Sequence, residues 1–307
     1  MYRPSSNFRY ITPGRDENFI WGNKLGEIDN KRTLPFAEEY WKEDGGHKWV
    51  EYIDATEHSL EAFNNVLLEH ARIKLGESVL DVGCGGGVNS IEIAHRVGPD
   101  GEVRGVDISA PILNIARSRG SGCDNLDFLE GDAAAIDLPE DYFDLVFSRF
   151  GVMFFSDPVA AFKNLRKSIK PGGRMIFLCW RSLEENPWMG VPTQAVFSLF
   201  PPQGPPPAPD SPGPFSLAES NRINKILEHA GLKVNLVKAV DVAMKLRSLN
   251  ETVDYFMKMG PGAAALADAS DHQKEAAARA ISDSIRQFEV NGVIRPPAAA
   301  WIVAAGK

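Results

Sequence analysis

Gly83-Cys84-Gly85-Gly86-Gly87 follows Val79-Leu80-Asp81-Val82 directly and precedes Val88 to Val97, whose apolar residues recur at helical spacing. A short apolar run, a glycine turn and then a helix present backbone rather than side chain to a ligand. A Cβ in the turn would hold the ligand off, and such turns use dihedrals that only glycine adopts at low cost. About twenty residues on, Glu102 to Asp107 reads as a second strand ending in a carboxylate. From that position an α/β sheet offers a pair of acceptors to the vicinal hydroxyls of a ribose. The chemistry offered by these residues is nucleoside binding.

A dinucleotide enzyme would use the same parts, but its G-x-G-x-x-G/A fingerprint wants a third small residue where this chain has Val88, and it lacks the carboxylate Asp81 ahead of the first glycine. Asp81, Gly83, Gly85 and Gly87 resemble motif I of the class I S-adenosylmethionine-dependent methyltransferases. Leu126 to Leu129 reads as a third strand leading into Glu130-Gly131-Asp132-Ala133. The resemblance implies that Asp107 and Ile108 lie at the cofactor. It also implies that Asp132 accepts from the adenine amino group and that the Ala133 amide reaches a ring nitrogen.

The elements that position these residues follow one another closely. Ser109 can cap, and Pro111 begin, a helix through Ser118; Phe143 to Phe147 is a fourth strand leading into Ser148-Arg149-Phe150, with Ser148 a further cofactor contact. Asp157-Pro158 starts a helix that Lys170-Pro171-Gly172-Gly173 stops, and Arg174 to Trp180 is a fifth strand. Strands alternating with helices across short turns give a parallel sheet with right-handed crossovers, whose ligands lie beyond the carboxyl ends of the strands. The resemblance runs from Val79 to Trp180 and is nearest to the ubiquinone/menaquinone-biosynthesis type. Leu217 to Ala230 reads as a helix, and Leu232 to Val240 with Ala298 to Ala305 as the antiparallel hairpin that such enzymes add at the sheet edge. The expected fold is therefore α/β, a Rossmann-like, mostly parallel sheet of seven strands with an antiparallel edge hairpin and helical cap insertions.

Residues 75–181, 215–245 and 296–307 are assigned to that cofactor-binding domain, and 1–74 to an N-terminal arm and lid helices. In the lid, short helices are expected over Leu34 to Glu43 and Lys48 to Ala55, with Thr56 capping a clearer one. Tyr40, Trp41 and Trp49, around Gly45-Gly46-His47, either anchor these helices or wall the methionine end of the cofactor, since an aromatic face attracts a sulfonium as it does an ammonium. Residues 182–214 and 246–295 are assigned to insertions that form a cap over the acceptor, with a dimer interface as the alternative. The first holds the stiff run Pro201 to Pro209; the second opens on a capping box at Ser248-Leu249-Asn250-Glu251 and continues in a helix from Asp271 to Phe288.

A net charge of −8 argues against nucleic acid as partner, and a small-molecule substrate is expected. Three scattered cysteines, Cys84, Cys123 and Cys179, without metal-ligand spacing suit free thiols in the cytoplasm. No run approaches the roughly 18 apolar residues of a membrane span, and the chain is expected as a monomer or homodimer. Methyl transfer by in-line displacement requires alignment and dryness, and Ser148-Arg149-Phe150 stands where metal-dependent relatives place acidic ligands, so no magnesium site is expected. If a general base is used, His58 is the first candidate. Arg149 could hold an acceptor carboxylate or phenolate, and Phe150, Val152, Met153, Phe154 and Phe155 are expected to line the acceptor pocket. A nicotinamide oxidoreductase and a non-catalytic S-adenosylmethionine-binding protein are the rival readings.

Overall fold

Three helices precede the sheet in the computed structural model, which describes residues 38–202, 208 and 210–307. Most of the expected N-terminal arm and residues 203–207 and 209 of the proline run lie outside the described residues. The helices are α1 (Glu38–Lys42), α2 (Asp44–Ser59) and α3 (Glu61–Ala71). Thr56 does not cap: it is buried in the last turn of α2, which runs past the boundary expected there, and α3 begins only after Leu60.

The alternation then unfolds as β1 (Ser78–Val82), α4 (Val88–Val97), β2 (Glu102–Asp107), α5 (Ala110–Gly120), β3 (Leu126–Glu130), β4 (Phe143–Arg149), α6 (Pro158–Ser168) and β5 (Ile169–Trp180). Asp157 caps α6 by accepting from the Ala160 amide. Ser109 stands at the N-cap position of α5, but its hydroxyl makes no cap bond. β5 begins earlier than Arg174, because Ile169 already pairs with Phe143; Pro171, Gly172 and Gly173 fall in the irregular step before Leu145 pairs with Arg174.

The remaining elements are α7 (Pro187–Leu199), α8 (Ser220–His229), β6 (Lys233–Ala243), α9 (Leu249–Lys258), α10 (Pro261–Ala265), α11 (Asp271–Ile285), β7 (Glu289–Val290), β8 (Val293–Ile294) and β9 (Pro297–Gly306). α8 starts three residues after Leu217, whose side chain is buried outside the helix. The β7–β8 hairpin has no counterpart in the sequence reading.

The main sheet has seven strands in the order β3-β2-β1-β4-β5-β9-β6, parallel through β5 and antiparallel on either side of β9. β1, central and buried, reads Ser-Val-Leu-Asp-Val, with only Asp81 interrupting the apolar run expected of a strand covered on both faces. Phe63 and Leu67 of α3 and Phe162 and Leu165 of α6 are fully buried against the sheet. All described residues belong to one unit, Leu34–Lys307. Among them no helix is long and apolar enough to cross a membrane.

The second insertion packs as a helical layer, α9 against α10 and α11, and both of these against α7 of the first. Capping boxes start α9 at Ser248 and α11 at Ser270. α9 reaches back to α2: Tyr52 meets Tyr255 edge-to-face at 5.8 Å, the Thr56 hydroxyl donates to the Tyr255 oxygen at 3.4 Å, and Lys258 lies 3.8 Å from Glu51.

Candidate functional site

The chain leaves β1 toward β2 and β3 on one side and returns to β4 and β5 on the other, so a crevice opens beyond the carboxyl ends of β1 and β4. Two glycine backbones set its floor. Gly83 has φ +66°, and a Cβ there would stand 2.8 Å from the Gly151 Cα, so the turn after β1 touches the turn after β4. Ser148, expected at the cofactor, ties this seam together: its hydroxyl donates to the Val82 carbonyl at 2.7 Å and accepts from the Gly151 amide at 3.3 Å. Phe150 holds φ +61° with its ring stacked on Trp180 at 3.9 Å, an uncommon backbone state kept by packing.

Gly85 behaves differently. Its φ is +55°, and a Cβ would meet nothing within 4 Å. Its amide donates to Asp107 Oδ2 at 2.9 Å, while Asp107 Oδ1 accepts from the Ser109 amide at 3.0 Å. These bonds orient the carboxylate and leave it acceptor capacity for a ligand hydroxyl. Burial nevertheless pushes the Asp107 pKa up, against the hydrogen bonds from Ser109, Gly85 and Ile108. Ile108 is half-buried beside it. Gly87 starts α4 against Ala116 and Phe128 of the neighbouring layer. After β3, Asp132 Oδ1 accepts from the Ala134 amide at 2.9 Å, and the Ala133 carbonyl takes the Asn164 side-chain amide at 3.2 Å.

Behind the turn lies a charge cluster. Asp81 is 1% exposed and accepts from the Ser90 hydroxyl at 2.6 Å. Burial pushes its pKa to about 6, opposed by the Ser90 bond and the charge of Arg149 and assisted by Asp107. Arg149 donates from Nη1 to Asn64 Oδ1 at 2.6 Å; burial lowers its pKa and the charges of Glu57 and Asp81 oppose that. The guanidinium therefore joins β4 to α3 within electrostatic reach of two carboxylates.

α2 closes over the turn from outside. Arg119 of α5 donates from Nη1 to both Glu57 oxygens at 2.9 Å and to the Gly86 carbonyl at 3.2 Å, and from Nη2 to Asp54 at 2.7 Å. A Cβ at Gly86 would lie 2.5 Å from Ile53 and 2.6 Å from Glu57. Sequence reasoning missed Asp54, Glu57, Asn64 and Arg119, because charges on amphipathic helices read as solvated and their partners are far away in the chain. Replacing Arg119 with alanine should speed cofactor dissociation several-fold with little change in stability. Exposed pairs are worth about 0.2–1 kcal/mol each, and stopped-flow dissociation would measure the difference.

His58 sits in the last turn of α2, not in the first turn of α3. One residue past Glu57, it is rotated about 100° from the face that meets the glycine turn. Among the described residues no hydrogen bond or ion pair joins it to Arg149, Asp81 or the turn. Trp41 packs edge-to-face on Trp49 at 5.5 Å and on Phe154 at 5.3 Å, which links the cover to the loop after β4. The apolar run after Ser148 is mostly core rather than pocket: Phe150, Val152 and Met153 are 8%, 2% and 1% exposed, because the loop turns them under the sheet edge, and only Phe154 and Phe155 remain half-buried. A half-open cavity of about 560 Å³ lies at the seam of α2 and α9, where Tyr52, Leu246 and Tyr255 line it together with Glu51, Asp54, Arg247, Asn250, Glu251, Thr252 and Asp254. Among the described residues no group of three or more His, Cys, Asp and Glu is placed to hold a metal ion.

The site fits an adenosyl ligand on three grounds. Gly85 opens onto space that a Cβ would fill, Asp107 presents oriented acceptors, and the Ser109 hydroxyl and the Trp41 indole N–H are buried without a hydrogen-bond partner among the described residues.

Residues 79–173 match the methyltransferase domain family. The ubiquinone/menaquinone biosynthesis C-methyltransferase UbiE of Hahella chejuensis is 32% identical over 177 residues, 54% of this chain and 70% of that protein. The demethylmenaquinone methyltransferase of Lysinibacillus sphaericus is 31% identical over 116 residues, 38% of this chain and 50% of that protein, so here the match spans half the relative's length. The solved structure of the Haemonchus contortus phosphoethanolamine N-methyltransferase 2 with S-adenosyl-L-methionine shares the fold, with a TM-score of 0.52 and 18% identity across 90% of this chain and 58% of that one.

Proposed function

The chain belongs to the class I S-adenosylmethionine-dependent methyltransferases of the ubiquinone/menaquinone-biosynthesis type, and from that premise we propose that it methylates a small acceptor with an apolar or aromatic body, by in-line displacement and without a metal ion. When bound, S-adenosylmethionine supplies an electrophilic methyl group on a sulfonium. The protein's own work is to bind, orient and dehydrate. Asp107 takes the ribose hydroxyls, Asp132 and the Ala133 amide meet the adenine edge, and the open face of Gly85 lets the ligand lie on backbone. Trp41, Trp49 and Phe154 give the cover an aromatic wall that favours a sulfonium and excludes water. Orientation of this kind can lower a barrier by about 7–11 kcal/mol.

Arg149 is assigned a positioning role, holding Asp81, Glu57 and Asn64 beneath the turn, and His58, half-buried in the last turn of α2, is the candidate if a base is used. The acceptor class rests on the names of the two curated relatives, a ubiquinone/menaquinone biosynthesis C-methyltransferase and a demethylmenaquinone methyltransferase.

The observation that carries the reading is the pairing of an open Gly85 with an oriented Asp107. Asp107→Ala should weaken S-adenosylmethionine about 10- to 100-fold, since hydrogen bonds to a charged acceptor are worth about 1.5–3 kcal/mol each. Calorimetric titration with the cofactor and with NADH tests this, and unchanged affinity would remove the ribose assignment. Incubation with methyl-labelled cofactor and a cell extract should place label in small molecules; label in protein or RNA would overturn the acceptor class.

A further inference from the structure

Ser109 is the one serine at a helix N-cap near the turn that does not cap. Its residue is 0% exposed, and its amide is already used by Asp107 Oδ1. Nothing among the described residues receives or supplies a hydrogen bond at its hydroxyl, and the same holds for the Trp41 indole N–H. Gly46 brings the Trp41 backbone and the Ser109 side chain together. Gly46, between α1 and the body of α2, is placed so that a Cβ would stand 2.3 Å from Ser109 Oγ and 2.5 Å from the Trp41 carbonyl oxygen. The cover thus presses its glycine on the hydroxyl and offers it no partner.

Leaving two polar groups dry costs more than an ordinary hydrogen bond returns, and a sequence reading gives no reason to retain either. Ser109 lies just past the carboxyl end of β2, beside the carboxylate assigned to the ribose, and the Trp41 ring packs on Trp49 and on Phe154 after β4. An indole N–H can only donate, so whatever meets it must accept. Asp107, by contrast, can only accept while ionised. The site therefore holds an acceptor for ligand hydroxyls next to donors for ligand lone pairs, a pattern that a nucleoside satisfies with its ribose and ring heteroatoms.

We propose that the Ser109 hydroxyl and the Trp41 indole N–H are donors to acceptor atoms of the adenosyl part of the cofactor, so that the α1–α2 cover is satisfied only when it closes on a nucleoside. The proposal rests on the cofactor assignment above. It makes Ser109 a specificity residue rather than a helix cap, and it gives Trp41 a polar contact beyond its aromatic wall.

The test compares Ser109→Ala and Trp41→Phe with the wild type, using thermal unfolding of the ligand-free protein and calorimetry with S-adenosylhomocysteine and with adenosine. Ser109→Ala should leave the ligand-free Tm unchanged or raise it by about 2 °C, because a dry hydroxyl is removed. Both variants should bind S-adenosylhomocysteine about three- to tenfold more weakly, with the same loss for adenosine. An affinity loss confined to S-adenosylhomocysteine would move the contact to the amino-acid end and overturn the proposal. So would unchanged affinity, or a lower ligand-free Tm for Ser109→Ala, which would show the hydroxyl already bonded within the protein. A wild type that binds neither ligand would instead overturn the cofactor assignment itself, and the proposal with it.

Discussion

Gly85→Val will abolish S-adenosylmethionine binding, with a loss of affinity beyond 100-fold, in a protein that still folds. Two separate effects converge at this residue. Its φ of +55° is a conformation that costs a residue with a Cβ about 1–2 kcal/mol, and more where the side chain is branched. Its Cβ direction is open, with nothing within 4 Å, so the added methyl groups occupy the volume in which the ligand must lie. The contrast with Gly83 separates site from scaffold. There a Cβ would strike the Gly151 backbone at 2.8 Å, so Gly83→Ala should lower Tm severely whether or not ligand is present. Thermal unfolding of both variants with and without cofactor distinguishes them. A Gly85→Val protein whose Tm still rises with cofactor would place the ligand elsewhere.

Arg149→Met should cost about 3 kcal/mol of stability at pH 8, the lower end of the penalty for breaking a buried pair. The reason is that it strands Asp81 and Glu57, and the cost should shrink toward pH 5. The sign follows from the raised carboxyls. Asp81 has a folded pKa of about 6 against an ordinary value of 3.8, driven first by burial, and Glu57 is raised by burial too. A carboxyl raised in the folded state contributes most stability below its unfolded pKa and loses it as pH climbs through the folded one. In the wild type that loss falls between about pH 4 and 6 for Asp81. Arg149 is among the charges that pull both pKa values down. Removing it extends the loss above pH 6, so the variant's deficit grows from pH 5 to pH 8. Urea unfolding at the two pH values measures it, and an equal deficit at both would show that the carboxyls carry no charge for Arg149 to balance.

The sheet was legible because its signals are local. Asp81 and the glycines mark the end of β1, Asp157-Pro158 marks the start of α6 to the residue, and the capping box at Ser248 marks α9. The cover was less legible. Thr56 has the residue type of a cap, but Tyr255, distant in sequence, supplies it with a partner inside a continuous helix. The apolar run after Ser148 could not be divided into lining and core from its composition, since the left-handed step at Phe150 decides which way each side chain turns. Arg149 was legible as a candidate, but its neighbours within the protein were not. Its partners Asn64 and Glu57 come from helices whose approach to the sheet is a tertiary fact.

The position of β9 between β5 and β6 has a consequence for how the chain is made. A polypeptide emerging from the ribosome can assemble the parallel strands in order, yet β6 has no sheet neighbour until β9 follows it, after the whole second insertion. In that interval the β5 edge, with Met175 to Trp180 all destined for burial, is an open template. Lysines at 233 and 238 stand exposed on β6, the kind of charge that discourages an unpaired strand from annealing to the wrong partner. A chain nicked just ahead of Pro297 would keep its nucleoside-binding half and present a strand-sized slot. A synthetic peptide with the sequence of residues 297–306 should re-enter that slot by strand addition, which makes this junction the natural place to split the protein into two complementing fragments.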